Sequence, residues 1–348
     1  MRLLLLSGTG GAGTSTIARA TAVQAVADGA RVQLIALCDP KESSASRSVA
    51  SQWLGALASD ILVLRDAEQI LPEELALLPG ADEFLALAAI AESVSQPDLD
   101  LVIVDAGPLD SLARLLMTSD TLDLLASSLM TPAMAIARAD LDAPLSDLRS
   151  ELQRIRECLE STDTAVRLAC LPDDRSIREL ERALVTASLY GVHVDLIYVN
   201  QVPRNKDAWP KRWAAARRRM SARITDHFAA VPCRELPLRD GEGAAIDERI
   251  RVVSKGSSPW IAHGSRTVEI IDAMGSGFTW ILPVHVPATG ELRVGRTDDR
   301  VIIDIDGVTR ARDLPSVLRR CVITRVVASP SELRIEFAPN PQVWRNDG

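Results

Sequence analysis

The feature that most constrains this chain stands at its start. An apolar run, Leu3–Ser7, is followed without a break by Gly8-Thr9-Gly10-Gly11-Ala12-Gly13-Thr14-Ser15 and then by helical periodicity from Ser15 to Asp28. Glycines this dense between a strand and a helix permit left-handed turns and bring successive backbone N–H groups together at the positive end of the helix. Strand, glycine loop and helix in that order make a phosphate-binding loop. Its candidate residues are Gly8, Thr9, Gly10, Gly11, Ala12, Gly13, Thr14, Ser15 and Thr16, with the Ser15 hydroxyl placed to ligate magnesium. The loop lacks its charge: the pattern G-x-x-x-x-G-K-[ST] demands lysine where this chain has Thr14. A lysine about 4 Å from a phosphate oxygen contributes roughly 1 to 4 kcal/mol per unit charge at surface-like dielectrics. Threonine hydrogen-bonds but does not neutralise.

The pattern set by this unit continues. Strand-length apolar runs at Val32–Leu37, Leu101–Asp105, Val166–Cys170 and Val192–Val199 alternate with helical stretches around Ser44–Ala58, Gly80–Ser93, Asp173–Tyr190 and Asp207–Ala229. That arithmetic predicts an α/β fold with a mostly parallel sheet covered on both faces. Between two of the strands lies a mainly helical insertion, Leu115–Ser161, rich in Leu and Met. It reads as a subdomain packed on its neighbours, or as an adaptable apolar groove for a client.

A break at Ser254–Arg266, with Lys-Gly-Ser-Ser-Pro and His-Gly-Ser, predicts a linker. Beyond it the period changes to two: Val301, Ile303 and Ile305 alternate, Asp306-Gly307 is a hairpin signal, and Leu333, Ile335 and Phe337 alternate with Arg334 and Glu336. A small antiparallel β-domain over residues 267–340 is expected after a first domain of residues 1–253.

Composition trims the function classes. A net charge of −8 with only 3% aromatic residues argues against a nucleic-acid partner. No apolar run approaches the roughly 18 to 20 residues that span a bilayer, so no integral membrane segment is expected, and the N-terminal run is too short for a targeting peptide. Five dispersed cysteines fit a reducing, cytoplasmic setting without structural zinc. His193, His227, His263 and His285 have no metal-ligand spacing. A basic run, Lys211, Arg212, Arg217, Arg218, Arg219 and Arg223, accompanies Trp209, Trp213, Ala216, Met220 and Ile224 at helical spacing, which predicts a core-facing stripe beneath a solvated basic face.

The loop resembles the G-K-G-G-V-G-K-[ST] loop of the ArsA and Get (tail-anchored-protein-targeting) ATPases, with Thr9 and Thr14 at both lysine positions. Cys38-Asp39-Pro40 is similar to the family's S-T-D-P, which implies that Asp39 positions the attacking water. Leu101–Asp105 with Ala106-Gly107-Pro108 resembles its D-T-A-P switch, and Leu112–Leu116 keeps the arginine of T-L-R-L-L as Arg114, while Leu109, Asp110 and Ser111 replace T-G-H. Tyr198-Val199-Asn200-Gln201 looks like V-V-N, implying that Asn200 reads adenine, and Leu236-Pro237-Leu238 falls where a similar segment closes the base pocket. The β-domain resembles the Hsp20-like, α-crystallin-type sandwich appended to some members. The resemblance therefore implies a SIMIBI-type P-loop NTPase fold followed by an Hsp20-like sandwich.

It further implies ATP or ADP with magnesium held by Ser15 and Asp105, a homodimer or a heterodimer with a related ATPase, and a hydrophobic or tail-anchored client. Loss of both lysines favours a pseudo-ATPase scaffold, with nucleotide as a structural ligand or none bound at all. A working ATPase remains open, with Arg19, Lys41, Arg114 or a partner's lysine as substitute cation, and so does a chaperone-like role centred on the β-domain. Arsenite chemistry needs clustered thiols, which the dispersed cysteines do not offer.

Overall fold

A computed structural model describes residues 1–37, 81–94, 96–129, 142–204, 209–238, 269–274, 277–297 and 299–340. The chain divides into two compact units, Met1–Ile177 with Val194–His263, and Arg178–His193 with Gly264–Gly348.

The first unit is built on six strands, β1 (Arg2–Gly8), β2 (Val32–Ala36), β3 (Leu101–Pro108), β4 (Thr164–Cys170), β5 (His193–Val202) and β6 (Cys233–Pro237), in the order β2-β3-β1-β4-β5-β6. β1 runs parallel to both β3 and β4, placing Leu6 beside Asp105 and Arg167, and Gly8 beside Pro108 and Ala169. Leu3, Leu4, Leu5 and Leu6 are buried in succession, as are Leu101 to Val104, so both faces of the sheet are covered. Unbroken apolar runs of this kind are what such a position requires, each buried Leu contributing about 2 kcal/mol. β6 carries no strand signal in its residues, because Cys233–Pro237 mixes charged residues with a proline; among the described residues it pairs with β5 alone, at the sheet edge where proline is tolerated.

Among the described residues, six α-helices accompany the strands: α1 (Thr14–Ala27), α2 (Ala81–Val94), α3 (Leu109–Leu129), α4 (Asp142–Leu159), α5 (Asp174–Leu189) and α6 (Lys211–His227). α1 stops because Gly29 takes φ 90° and the N–H groups of Gly29 and Ala30 turn back to the carbonyls of Val26 and Ala25, a Schellman closure. α3 and α4 are the described part of the helical insertion. Of the stripe expected on α6, Ile224 is buried, together with Ala214 and Ser221, whereas Trp213 is 37% exposed and Ala216 lies in solvent. Trp213 is held instead on the surface by Trp209, ring centroids 5.3 Å apart, and by the Arg217 guanidinium 5.1 Å from its ring. Small residues, not the tryptophans, let α6 approach the sheet.

In the second unit, seven antiparallel strands form two sheets, β11-β10-β9 and β12-β13-β8-β7, from β7 (Ile270–Met274), β8 (Gly277–Leu282), β9 (Leu292–Arg296), β10 (Arg300–Ile305), β11 (Val308–Asp313), β12 (Cys321–Ser329) and β13 (Glu332–Pro339). The alternating residues Val301, Ile303, Ile305, Leu333, Ile335 and Phe337 are buried, as period two demands. Asp306-Gly307 makes the β10–β11 hairpin. The end of α5 belongs to this unit: Arg310 donates to the Leu189 carbonyl at 2.5 Å and lies over the Tyr190 ring at 4.5 Å. The expected helix at Ser44–Ala58 and the linker Ser254–Arg266 lie outside the described residues. No helix among the described residues is long and apolar enough to cross a membrane.

Candidate functional site

In the parallel sheet β1 lies between β3 and β4, so the chain returns to both sides of its first strand. A crevice opens beyond the carboxyl ends of the strands at such a reversal, and ligands bind there. The loop Gly8–Ser15 emerges at that point. The Thr9 N–H donates to the Ala169 carbonyl of β4 at 2.8 Å, and the Ala12 N–H returns to the Thr9 carbonyl at 3.0 Å. Gly8 has no space for a side chain: a Cβ there would stand 2.4 Å from the Ala169 carbonyl oxygen and 2.6 Å from Thr14 Oγ1. Gly11 and Gly13 hold φ 78° and 79°, left-handed turns that favour glycine.

Gly13 caps α1 without any side-chain hydrogen bond, and the first helical bond runs from the Ile17 N–H to the Gly13 carbonyl at 3.0 Å. The N–H groups of Thr14, Ser15 and Thr16 therefore have no partner upstream within the helix. A Cβ on Gly10 would meet nothing within 4 Å. The loop is closed against the sheet behind Gly8 and open at Gly10, with helix donors at its end, and this shape fits phosphate groups.

Both threonines at the lysine positions are buried, each 8% exposed. Thr9 Oγ1 accepts the Leu171 N–H at 3.3 Å, fastening the loop to the end of β4. Ser15 is exposed on the first turn of α1. Asp105 is buried at the end of the β3 core; its carbonyl accepts the Leu37 N–H at 3.0 Å and its carboxylate accepts the Gly107 N–H at 3.2 Å. Ser7 binds the same turn, donating to the Gly107 carbonyl at 3.0 Å. Ser15 and Asp105 are the residues that would hold magnesium. The ion would supply charge neutralisation for bound phosphates.

Asn200 also reaches the loop. Its side-chain amide donates to the Ala12 carbonyl at 2.6 Å and its carbonyl accepts the Gln201 N–H at 2.8 Å. Gln201 donates to the Gly11 carbonyl at 3.1 Å from a backbone with φ 59°, a conformation costing a non-glycine residue about 1 kcal/mol or more. Sequence reasoning missed Gln201 as a site residue, since Asn-Gln at a strand end carries no turn signal.

Among the described residues, the arginines considered as substitute cations are committed elsewhere or exposed. Arg114 donates to Glu83 at 2.6 Å and to the Ser111 hydroxyl at 2.8 Å. Arg19 is exposed on α1. Within the sheet, Arg167 grips both oxygens of Asp195 at 2.9 to 3.1 Å, the two side chains only 3% and 2% exposed. Burial works to lower the Arg167 pKa, but the Asp195 carboxylate outweighs it and the guanidinium stays charged. Its charge is spent on that carboxylate. Asp39 and Lys41 lie outside the described residues.

Among thiols, burial pushes Cys170 up to about 12, with Cys233 and Asp173 adding to the shift, which disfavours the thiolate that ligates soft metals. No group of three or more His, Cys, Asp or Glu able to hold a metal occurs among the described residues.

Residues 42–255, more than half of the chain, match the profile of the anion-transporting ATPases. The chain belongs to that ATPase family. The matched span begins after the phosphate loop, so membership rests on the remainder of the α/β unit. Residues 275–337 match the HSP20-like domain found in ArsA. Full-length similarity extends to a Mycobacterium tuberculosis protein, 28% identical over 99% of this chain and 97% of the relative, and to an uncharacterised Streptomyces coelicolor protein, 26% identical over 99% of each. A putative arsenical pump-driving ATPase of Chlorobaculum tepidum is 25% identical over 70% of this chain and 72% of its own. This ATPase homologue thus combines the family's α/β unit and Hsp20-like sandwich with a lysine-free loop.

Proposed function

We propose that the chain is a pseudo-ATPase of the anion-transporting family: it holds nucleotide without hydrolysing it and serves as a cytoplasmic, dimeric scaffold for hydrophobic protein segments. The observation that carries this reading is the burial of Thr9 and Thr14, two uncharged, 8% exposed side chains at both lysine positions. Arg114 adds to it, since its charge is paired with Glu83. A transferring γ-phosphoryl group is stabilised almost entirely by positioning and positive charge, and a loop offering only backbone dipoles and a magnesium ion gives up most of that stabilisation. The residues proposed to hold ATP or ADP are Gly8 to Thr16 and Asp105, with Asn200 contributing through its grip on the loop. Nucleotide would act by shifting an open and closed equilibrium.

The domain organisation proposed is an ATPase-like domain of residues 1–253, a linker and an Hsp20-like domain of residues 267–340. The helical insertion, residues 115–161, would offer the client surface; on it Met117 of α3 is 47% exposed. The partner is a second copy or a related ATPase.

Phosphate release by the purified chain under magnesium-ATP tests the proposal. Turnover at the background rate is expected; turnover that disappears in Asp39→Asn overturns it. A second reading, an ATPase completed by a partner's lysine, is favoured by the exposed Ser15 and the placed Asp105. It predicts turnover only when a lysine-bearing relative is added.

A further inference from the structure

The end of β5 contributes two side-chain amides to the phosphate loop, on successive carbonyls: Asn200 on Ala12 at 2.6 Å and Gln201 on Gly11 at 3.1 Å. Gln201 is one of two non-glycine residues with positive φ among the described residues. The pair is coupled, because the Gln201 N–H is itself held by Asn200 Oδ1 at 2.8 Å. Packing is equally close at Gly13, where a Cβ would stand 2.9 Å from Asn200 Nδ2. On the β4 side, Thr9 is bonded through both its N–H and its hydroxyl. The loop is thus pinned from the ends of β4 and β5 by neutral groups.

We propose that this amide clamp presets the loop for the diphosphate end of a nucleotide, so that the site binds nucleoside diphosphate and triphosphate with nearly equal affinity. The inference rests on the nucleotide reading above and deepens it. Backbone N–H groups of a glycine loop cradle the α- and β-phosphates, whereas the loop lysine reaches the β- and γ-phosphates. The first contribution depends on loop shape, which the clamp fixes; the second depends on a charge that Thr14 lacks. Carbonyls are the electronegative ends of the loop peptides. With those of Gly11 and Ala12 bonded to amides, their partial charge is offset and the peptides are held against rotation, which leaves the open N–H groups of Thr14 to Thr16 to face an anion. The γ-phosphate adds negative charge where no lysine meets it. Asn200 and Gln201 are positioning residues on this account.

Isothermal titration of the full chain with magnesium-ADP and magnesium-ATP tests the ligand class. The expected result is two Kd values within about threefold of each other, moved by at least tenfold in favour of ATP in Thr14→Lys. In Gln201→Gly both affinities fall about tenfold with their ratio unchanged, while the melting temperature of the nucleotide-free protein moves little, because relief of the left-handed backbone offsets the lost Gly11 bond and the freer unfolded chain. A purely structural glutamine would not lose affinity while stability holds. Hydrogen exchange without nucleotide reads the clamp directly: amides from Gly10 to Thr14 exchange faster in Gln201→Gly than in the native chain. Native ATP binding more than tenfold tighter than ADP overturns the diphosphate assignment alone. Unchanged affinities and loop exchange in Gln201→Gly overturn the clamp. No heat with either nucleotide, with loop exchange still accelerated, overturns the nucleotide reading together with the diphosphate assignment and leaves the clamp standing.

Discussion

Gln201, at the end of β5, and Asp306, opening the β10–β11 hairpin, hold almost the same left-handed backbone, φ 59° and 51°. Their surroundings differ. Asp306 is followed by Gly307 at φ 79°, so two consecutive positive φ values complete a tight turn whose twist suits the strands it joins. Its carboxylate accepts the Glu291 N–H at 2.7 Å, a second local use. Gln201 closes no hairpin; it stands where the β5–β6 register shifts between Val199 and Val202. Its side chain instead crosses to Gly11 in a loop nearly two hundred residues earlier. Strain absorbed by a turn is architecture, whereas strain that aims a side chain into a ligand loop points to function.

Glycine substitution tests that contrast most severely. In Gly8→Ala the new methyl would sit 2.4 Å from the Ala169 carbonyl, a backbone atom of a buried strand, and a loss of about 3 kcal/mol is expected in urea unfolding. Gly290→Ala approaches Asp306 Oδ2 at 2.8 Å and the Pro287 carbonyl at 3.2 Å. There the closest atom ends a side chain that can move, so a loss of about 1 kcal/mol is expected. Equal losses at the two positions would show that the loop is no more tightly built than the hairpin region.

Next in size is the functional arm, Gln201→Gly, where a tenfold weakening of nucleotide binding equals about 1.4 kcal/mol. Thr9→Val should follow. It keeps the volume of the side chain and strands the Leu171 N–H, now bonded at 3.3 Å, so about 1 kcal/mol of stability should be lost with little change in loop burial. A neutral result, read by the unfolding midpoint, would mean that Thr9 fills space without fastening the loop.

Much of this arrangement was legible from residue order. The loop announced itself through glycine density, the parallel sheet through unbroken apolar runs, and the β-domain through the shift to period two and Asp306-Gly307. Three features were hidden, each for a physical reason. Gln201 could not be read because its positive φ accompanies a register shift between β5 and β6 and a bond to a distant loop, neither of which Asn-Gln announces. The α6 stripe was right at Ile224 but misled at its tryptophans, because Trp209 and Trp213 stack on each other and on Arg217 at the surface, leaving Ala214 and Ser221 as the other buried residues. The two lost lysines indicated missing charge but not the burial of Thr9 and Thr14, which depends on where β4 ends.

The smallest expected effect is also the cleanest control. Asp306→Gly relieves a left-handed backbone just as Gln201→Gly does, and would alone stabilise the folded chain by up to about 1 kcal/mol. It also removes the carboxylate that accepts the Glu291 N–H and gives the unfolded chain more freedom to lose. These terms nearly cancel, so the melting temperature should move little and nucleotide affinity not at all. Side by side, the two glycine variants share one backbone change and differ in what their side chains reach. If Asp306→Gly weakened nucleotide binding as much as Gln201→Gly, the loss would belong to left-handed residues in general, and the assignment of the Gln201 amide to the phosphate loop would fall.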